Sequence, residues 1–118
     1  MIKEHLEFFG LDLATGWETP AGYPQNVQQK ILAGFLDEKK RSGSRTRLLR
    51  FAPGALTTHP FEHEYWEEVL LISGTLTIGG VDFKPFTYAC RPPHVPHGPF
   101  SSKEGALLYE FHYFAPKE

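Results

Sequence analysis

The chain has 118 residues, a hydrophobic fraction of 41%, a charged fraction of 22% and a formal net charge of −2. This length suits one domain, and the composition is too apolar for a disordered protein. With 12 basic and 14 acidic residues, the chain lacks the positive surplus that neutralises phosphates, which argues against nucleic acid as a partner. The 11 glycines and 10 prolines disfavour a helical bundle.

The cysteine content and the apolar runs point to the cellular compartment. Cys90 is the single cysteine, which excludes a disulfide within this sequence and a cysteine-based zinc site. The N-terminal residues show no signal-peptide pattern, because charged residues interrupt the apolar ones. The longest apolar runs, such as residues 69–72, are far shorter than the ~20 residues that a membrane span needs. We therefore expect a cytoplasmic protein that does not enter a membrane.

Residues 1–26 are predicted to form an N-terminal arm, and residues 27–118 a single domain. Glycines and prolines interrupt the arm, and its apolar residues favour one short amphipathic turn: Leu6, Phe8, Phe9, Leu11 and Leu13. The turn would pack on the domain or on a second subunit. A partly ordered tail explains the same pattern equally well.

The remaining elements indicate short strands separated by turns. Residues 27–37 fit a helix or a strand by periodicity alone, but a charged loop with Gly43 and the apolar run 46–52 indicate a hairpin. Further strands are predicted within residues 56–73, 75–78, 81–83, 87–91 and 106–114, and Gly79-Gly80 marks a tight turn. About seven or eight strands without a long helix predict an all-β sandwich or barrel.

Histidines and acidic residues cluster in the second half of the chain. His59, His63 and Glu67 share parity, so an extended segment would direct two imidazoles and a carboxylate to one side. His97, from a separate segment, would add a third imidazole. These groups are the usual ligands of zinc, iron, manganese and nickel, and the combination favours a metal site. Any one of these histidines alone is more simply explained as a surface or hydrogen-bonded residue.

The two clusters resemble the two motifs of the cupin superfamily. The first motif runs Gly, about five residues, His-x-His, three or four residues, Glu, six residues, Gly. Gly54 precedes His59 by close to the interval expected for the first histidine, and His63, Glu67 and Gly74 match the intervals of the rest of the motif. The second motif contains Pro-x-Gly-x-x-His, which resembles residues 92–97 with His94 in place of the glycine. The resemblance covers about residues 30–114. Residues 46–54 also resemble a strand of the subgroup that includes acetylacetone-type dioxygenases and zinc-binding anti-sigma domains.

The resemblance implies a fold class and a metal site. The fold class is all-β, a cupin-type jelly-roll β-barrel with an N-terminal arm, and the barrel mouth would hold one divalent metal ion (Fe, Mn, Ni or Zn). The implied ligands are His59, His63, Glu67 and His97. The position of the family's histidine falls on Phe61 in this chain, so a bulge or an altered strand entry would be needed to bring in His59. His112 is the substitute ligand. The alternative role of His112 is that of a buried histidine bonded to a carboxylate or tyrosine.

Four residues are candidates for contact with a small organic molecule. Phe61 would form a pocket wall, Arg91 would meet an anionic group, and Tyr65 and His112 would line the same pocket. The simpler alternatives are a surface ion pair for Arg91 and a place in the core for Tyr65. No residue is assigned a catalytic role.

The expected function is that of a small metal-dependent enzyme acting on an organic molecule inside the barrel. With iron, it would be a dioxygenase-like oxidoreductase, and with a redox-inert metal an isomerase or hydrolase. The first alternative is a non-enzymatic module or sensor that binds a metal or small ligand. A second alternative is a metal-free cupin with a sugar-type or aromatic ligand. We also expect a homodimer, because cupin-like barrels commonly pair and the arm offers apolar surface.

Overall fold

Eight β-strands make up the regular structure of residues 3–115, which are the residues described in the computed structural model. They are β1 (Val27–Asp37), β2 (Ser42–Phe51), β3 (Trp66–Gly74), β4 (Leu76–Ile78), β5 (Val81–Phe83), β6 (Thr87–Arg91), β7 (Phe100–Ser101) and β8 (Ala106–Tyr113). Within residues 3–115, no helix has the length and apolar character to cross a membrane. The predicted all-β fold class is confirmed.

The strands form two antiparallel sheets that enclose one core. The larger sheet has the order β1-β2-β8-β3-β6, and the smaller has the order β5-β4-β7. Buried residues of both sheets pack in one cluster, with Leu49, Val69 and Leu108 from the larger sheet and Leu76 from the smaller. Strands distant in sequence therefore lie side by side, as in the jelly-roll architecture.

The first two strands form the predicted hairpin, and their pairing resolves the ambiguous segment 27–37 as a strand. The register runs from Val27 opposite Phe51 to Asp37 opposite Ser42. Val27 is completely buried, and the charged loop that joins the two strands is exposed. Backbone hydrogen bonds to β2 satisfy the polar groups of β1 that face β2. This pairing is not visible in the side-chain periodicity of the segment.

The inner face of β2, β8 and β3 is polar at one end and apolar at the other. The register places Arg47 opposite Glu110 and Glu67 opposite His112 at the polar end. All four are buried, with exposed fractions of 4% or less. The same strands continue inward with apolar side chains that build the core: Leu49, Phe51, Val69, Leu71 and Leu108. The sheet thus concentrates charged groups at one end of an apolar interior.

A glycine allows β3 and β8 to approach each other closely where they end. Gly74 has a φ of 79°, a left-handed conformation that side chains disfavour, and a Cβ there would overlap the backbone of Gly105 and Ala106. Gly74 is also the last residue of the first motif. The six-residue interval from Glu67 therefore spans β3 from its polar end to this contact.

The N-terminal residues run along the body and are largely exposed up to Glu18. Glu18 forms a β-bridge with Gln29, and the guanidinium of Arg50 lies 3.9 Å from the ring centre of Trp17. Further along, Tyr23 packs against the core cluster and stacks on Phe61, with ring centres 4.4 Å apart. An arm is therefore present, but its last part contributes to the interior. The division of the chain at residue 26 stays a prediction.

Candidate metal centre

A short backbone pairing brings the two histidine clusters together. Phe61 and His97 form an isolated antiparallel bridge, with N···O distances of 2.8 and 2.9 Å. The amide of His94 donates to the carbonyl oxygen of His63 at 2.9 Å. The imidazole rings of His63 and His97 consequently lie 4.9 Å apart between their centres. Glu67, at the start of β3, completes the group.

His63, Glu67 and His97 form a compact set of potential ligands. His97 Nε2 lies 3.4 Å from Glu67 Oε1, and His63 Nε2 lies 3.8 Å from Glu67 Oε2. Metal bonds of about 2.0–2.2 Å place neighbouring ligand atoms about 3–3.5 Å apart. The three side chains therefore fit one divalent cation with small adjustments of position.

Nε2 of each histidine is available as a ligand. His97 Nδ1 lies 3.2 Å from the carbonyl oxygen of Val95, which can only accept, so Nδ1 carries the ring proton. His63 Nε2 is buried and has no hydrogen-bond partner among residues 3–115. A buried nitrogen without a partner is costly, and a bound cation would remove that cost.

Burial keeps both imidazoles neutral and therefore ready to bind a metal. Loss of hydration lowers the pKa of His63 from its ordinary value of 6.5 to about 4, although the charge of Glu67 opposes this. Burial lowers the pKa of His97 in the same direction. Protons therefore do not compete effectively for either Nε2 near pH 7.

Two neighbouring donors hold the carboxylate of Glu67. Arg91 Nη1 donates to Oε1 at 2.8 Å, and His112 Nε2 lies 3.0 Å from Oε2. The side chain of Glu67 is only 4% exposed, so these contacts replace the water that an ionised carboxylate would otherwise bind. Each oxygen keeps lone-pair capacity for a cation, because a carboxylate oxygen has two acceptor sites.

Glu67, Glu110 and His112 form a second buried group that shares Glu67 with the first. Arg45 Nη2 lies 2.8 Å from His112 Nδ1, and a guanidinium can only donate. His112 Nδ1 is therefore an acceptor, and the ring proton lies on Nε2. That nitrogen faces both carboxylates, at 3.0 Å from Glu67 and 3.1 Å from Glu110. In this arrangement His112 donates its one ring proton to Glu110 and does not offer Nε2 as a ligand.

The carboxylate of Glu110 is neutralised by a buried arginine. Arg47 Nε donates to Oε1 at 2.8 Å, and its Nη1 donates to Gln29 Oε1 at 2.7 Å. Nη2 lies 2.8 Å from the same oxygen of Glu110, which completes the ion pair. Burial alone would raise the pKa of Glu110, but the charge of Arg47 and the hydrogen bond from His112 outweigh it and lower the pKa well below its ordinary range. Glu110 is therefore committed to an internal ion pair.

His59 lies outside both groups. It is exposed, its Nδ1 is 3.3 Å from Thr58 Oγ1, and its ring centre is 5.4 Å from that of Phe61. The parity rule assumed one continuous strand from His59 to Glu67, whereas only Phe61 pairs with a neighbouring segment in this stretch before β3. A ligand role for His59 finds no support in this geometry and stays a prediction.

The four candidates for ligand contact occupy different positions. Arg91 lines a small cavity of about 30 Å³ together with Glu67, His97 and Glu110. Phe61 lies between Tyr23 and the ring of His97, and Tyr65 stacks on His63 with ring centres 4.6 Å apart. Burial raises the pKa of Tyr65 to about 12, so its hydroxyl stays protonated. His112 is fully buried behind Glu67.

Several residues of this site are not marked by any motif in the sequence: Tyr23, Arg45, Arg47 and Glu110. Two signals were present in the pattern. Arg47 shares strand parity with Leu49 and Phe51, so it points inward in an apolar run. Glu110 shares parity with His112 on the last strand. An inward charge requires a partner, and pairing these two inward residues would have identified the buried ion pair.

Comparison with known proteins gives structural matches alone. No family model matches the chain, and no curated protein matches it in sequence. An RmlC-like cupin from Shewanella frigidimarina is similar over 99% of this chain and 97% of its own, with a TM-score of 0.66 and 20% identity.

Two similar structures are named as enzymes. An acetylacetone dioxygenase from Acinetobacter johnsonii matches with a TM-score of 0.67 and 14% identity, over 94% of this chain and 76% of its own. The polyketide cyclase RemF from Streptomyces resistomycificus matches with a TM-score of 0.68 and 14% identity, over 93% of this chain and 81% of its own. The chain therefore has the fold of the cupin superfamily, as its two motifs predicted.

Proposed function

We propose that this chain is a metal-dependent enzyme that binds one divalent cation through His63, Glu67 and His97. The observation that carries this proposal is the buried, unpartnered Nε2 of His63 beside a carboxylate and a second imidazole nitrogen. The substrate would be a small organic molecule in the interior next to the cation. Arg91 and Glu110 line the small cavity next to Glu67 and His97.

The number and type of ligands favour catalysis over a structural or sensing role. Three protein ligands leave coordination positions open, whereas structural zinc sites are closed by four. Two imidazoles and one carboxylate are the donor set of non-haem iron(II) oxygenases. A bound iron ion would supply oxidative chemistry, and a redox-inert ion would supply Lewis-acid activation. The donor set favours the dioxygenase-like reaction, with isomerisation or hydrolysis as the alternative.

The protein's own contribution is to orient the ligands and exclude water. Arg91 and His112 fix the two oxygens of Glu67, and the Val95 carbonyl fixes the ring of His97. Tyr65 stacks on the ring of His63 and keeps it buried. Such neighbours set the geometry and the affinity of a metal site. We assign His112 to this positioning role, with ligation as its alternative.

The structural comparisons support the general proposal and leave the reaction open. A dioxygenase and a polyketide cyclase share this fold, so the fold accommodates enzymes with different chemistries. The sensor alternative would require a site without open coordination positions.

Metal analysis of the purified protein tests the proposal. We expect about one equivalent of iron, manganese or nickel in the unaltered protein, and none in His63→Ala or His97→Ala. His5→Ala removes an exposed histidine of the arm and is the matched control, which should retain the metal. Absence of metal after expression with each of these ions would overturn the proposal. One equivalent of zinc with no exchangeable water would favour the sensor alternative.

A further inference from the structure

Three arginines reach the polar end of the interior, and Arg91 is the one whose Nε and Nη2 both lack an acceptor among residues 3–115. Arg47 directs Nε, Nη1 and Nη2 to Glu110 and Gln29, and Arg45 directs Nε and Nη2 to His112 and Tyr65. Arg91 makes one side-chain hydrogen bond, from Nη1 to Glu67. Among residues 3–115, no acceptor is bound to its Nε or Nη2. A guanidinium with free donors on one side can bind an oxyanion through two parallel hydrogen bonds.

Arg91 also lies at the boundary of a second, apolar cavity. This cavity has a volume of about 170 Å³ and lies between the two sheets. Arg91 is its single charged residue, and its other lining side chains include Leu71, Ile78, Phe83 and Ala89. The cavity adjoins the smaller cavity at the metal-ligand cluster, because four residues line both: Val69, Leu76, Arg91 and Leu108. One molecule could therefore contact Arg91 and both spaces.

The charges of the polar end favour an anion over a neutral or cationic molecule. Three guanidinium groups face two carboxylates there. The described interior therefore has an excess of positive charge, which a divalent cation would increase. This excess attracts an anion.

We propose that the substrate of this site is a small carboxylate whose oxygens bind Arg91 and whose compact apolar body fills the cavity lined by Leu71, Ile78, Phe83 and Ala89. The body would have about the size of a benzene ring, since apolar cavities of about 150 Å³ accept benzene. The role of this carboxylate as a substrate rests on the proposed enzymatic function. Its binding requires only Arg91 and the cavity.

Benzoate and its neutral isostere benzamide test this inference by calorimetric titration, with both metal-free and metal-loaded protein. We expect the unaltered protein to bind benzoate at least about tenfold more tightly than benzamide. Arg91→Gln should abolish that preference. Arg50→Gln, on the outer face of the same sheet, removes an equal charge away from the cavity and should preserve it. Circular dichroism verifies that each variant is folded.

Two further variants keep the test decisive if loss of Arg91 prevents folding. Arg91→Lys keeps a positive charge beside Glu67 but lacks the planar guanidinium fork. It should lower the affinity for benzoate about tenfold. Ala89→Phe leaves Arg91 in place and fills the cavity, and it should remove binding of benzoate. Equal binding of benzamide and benzoate, or full benzoate binding by Ala89→Phe, would overturn the inference. The protein could bind benzoate through Arg91 and yet take up no metal under any condition. That result would support the inference and refute the metal-dependent function.

Discussion

Arg45 donates to Nδ1 of His112 from two of its nitrogens, Nη2 at 2.8 Å and Nε at 3.2 Å. Because a guanidinium cannot accept a hydrogen bond, this contact fixes the ring proton of His112 on Nε2. Nε2 then carries its proton between two carboxylates: Glu110, its hydrogen-bond acceptor at 3.1 Å, and Glu67 Oε2, 3.0 Å away. A residue of β2 thereby places a proton donor of β8 beside a carboxylate on β3.

Replacing His112 should weaken metal binding without changing the number of ions bound. Loss of a hydrogen bond that orients a metal ligand typically lowers affinity about 10–100-fold. His112→Ala should therefore show one equivalent of metal at saturation and a 10–100-fold lower affinity in competition with a chelator. Arg45→Leu should lower affinity less, because the ring of His112 remains.

The same experiment separates a positioning role from ligation. If His112→Ala binds no metal at saturation, as expected for His63→Ala, then His112 is a ligand. Nitrogen NMR of the metal-free protein provides an independent check, because His112 should show a protonated Nε2 and an unprotonated Nδ1. The opposite tautomer would contradict the hydrogen bond from Arg45.

The metal-free protein should lose stability as the pH falls from 6.5 toward 4. The pKa of His63 is about 4 in the folded protein and 6.5 as its ordinary value, so the unfolded chain binds the extra proton in this interval. The contribution of neutral His63 to the free energy of unfolding is fully present above pH 6.5. As the pH falls below this value, it declines by up to about 1.4 kcal/mol per pH unit for one proton. His97 adds to the same trend, because burial lowers its pKa as well.

Urea unfolding across this pH interval measures the effect. His63→Gln should flatten the dependence, whereas His5→Gln, in the exposed arm, should leave it unchanged. A free energy of unfolding that stays constant or rises as the pH falls to 4 would show that His63 is not buried in its neutral form.

Substituting glycine for His94 should stabilise the protein. His94 has a φ of 67°, in the left-handed region, and it occupies the position where the second cupin motif has glycine. This conformation costs about 1–2 kcal/mol for a residue with a side chain. The ion pairs of His94 with Glu62 and Glu64 are exposed and contribute little.

Thermal unfolding and urea unfolding measure this change. His94→Gly should raise the free energy of unfolding by about 1 kcal/mol. His94→Ala removes the same imidazole but keeps the Cβ, so it should give no gain. Equal stabilisation by both variants would show that the backbone conformation is not the cause.

The homodimer remains a prediction, and the exposed apolar residues indicate which surfaces would form its interface. Phe8, Phe9 and Leu11 of the arm are exposed, as are Tyr88 and Tyr109 on the outer face of the larger sheet. Burying such residues against a second copy would remove apolar area from water. Light scattering during gel filtration should give twice the mass of 13.4 kDa, and Phe8→Ser/Phe9→Ser should shift the equilibrium to the monomer. A monomeric mass at all tested concentrations would contradict the prediction.

The sequence was sufficient to predict the strands and part of the site. Alternating polar and apolar residues identify short strands locally, and the spacing from Glu67 to Gly74 reflects the length of β3. His63, Glu67 and His97 lie within reach of one another, and their role as metal ligands stays a prediction. Each of these inferences depends on residues close to one another in the chain or on a recurrent motif.

The rest of the site depends on strand register, which local patterns do not encode. Arg47 and Glu110 are 63 residues apart and meet because β2 pairs with β8. Tyr23 reaches the interior because the arm turns back onto the core. His59 was assigned by parity, which fails where the chain is not a continuous strand.

The position of the bound cation tests the central claim most directly. A crystal structure of the iron-loaded protein, with anomalous diffraction measured at the iron edge, should show one peak about 2.0–2.3 Å from His63 Nε2, His97 Nε2 and a Glu67 oxygen. At least one further coordination position should face the cavity lined by Arg91. A peak bound by His112 and Glu110 instead, or no peak at the shared carboxylate, would contradict the proposed metal centre.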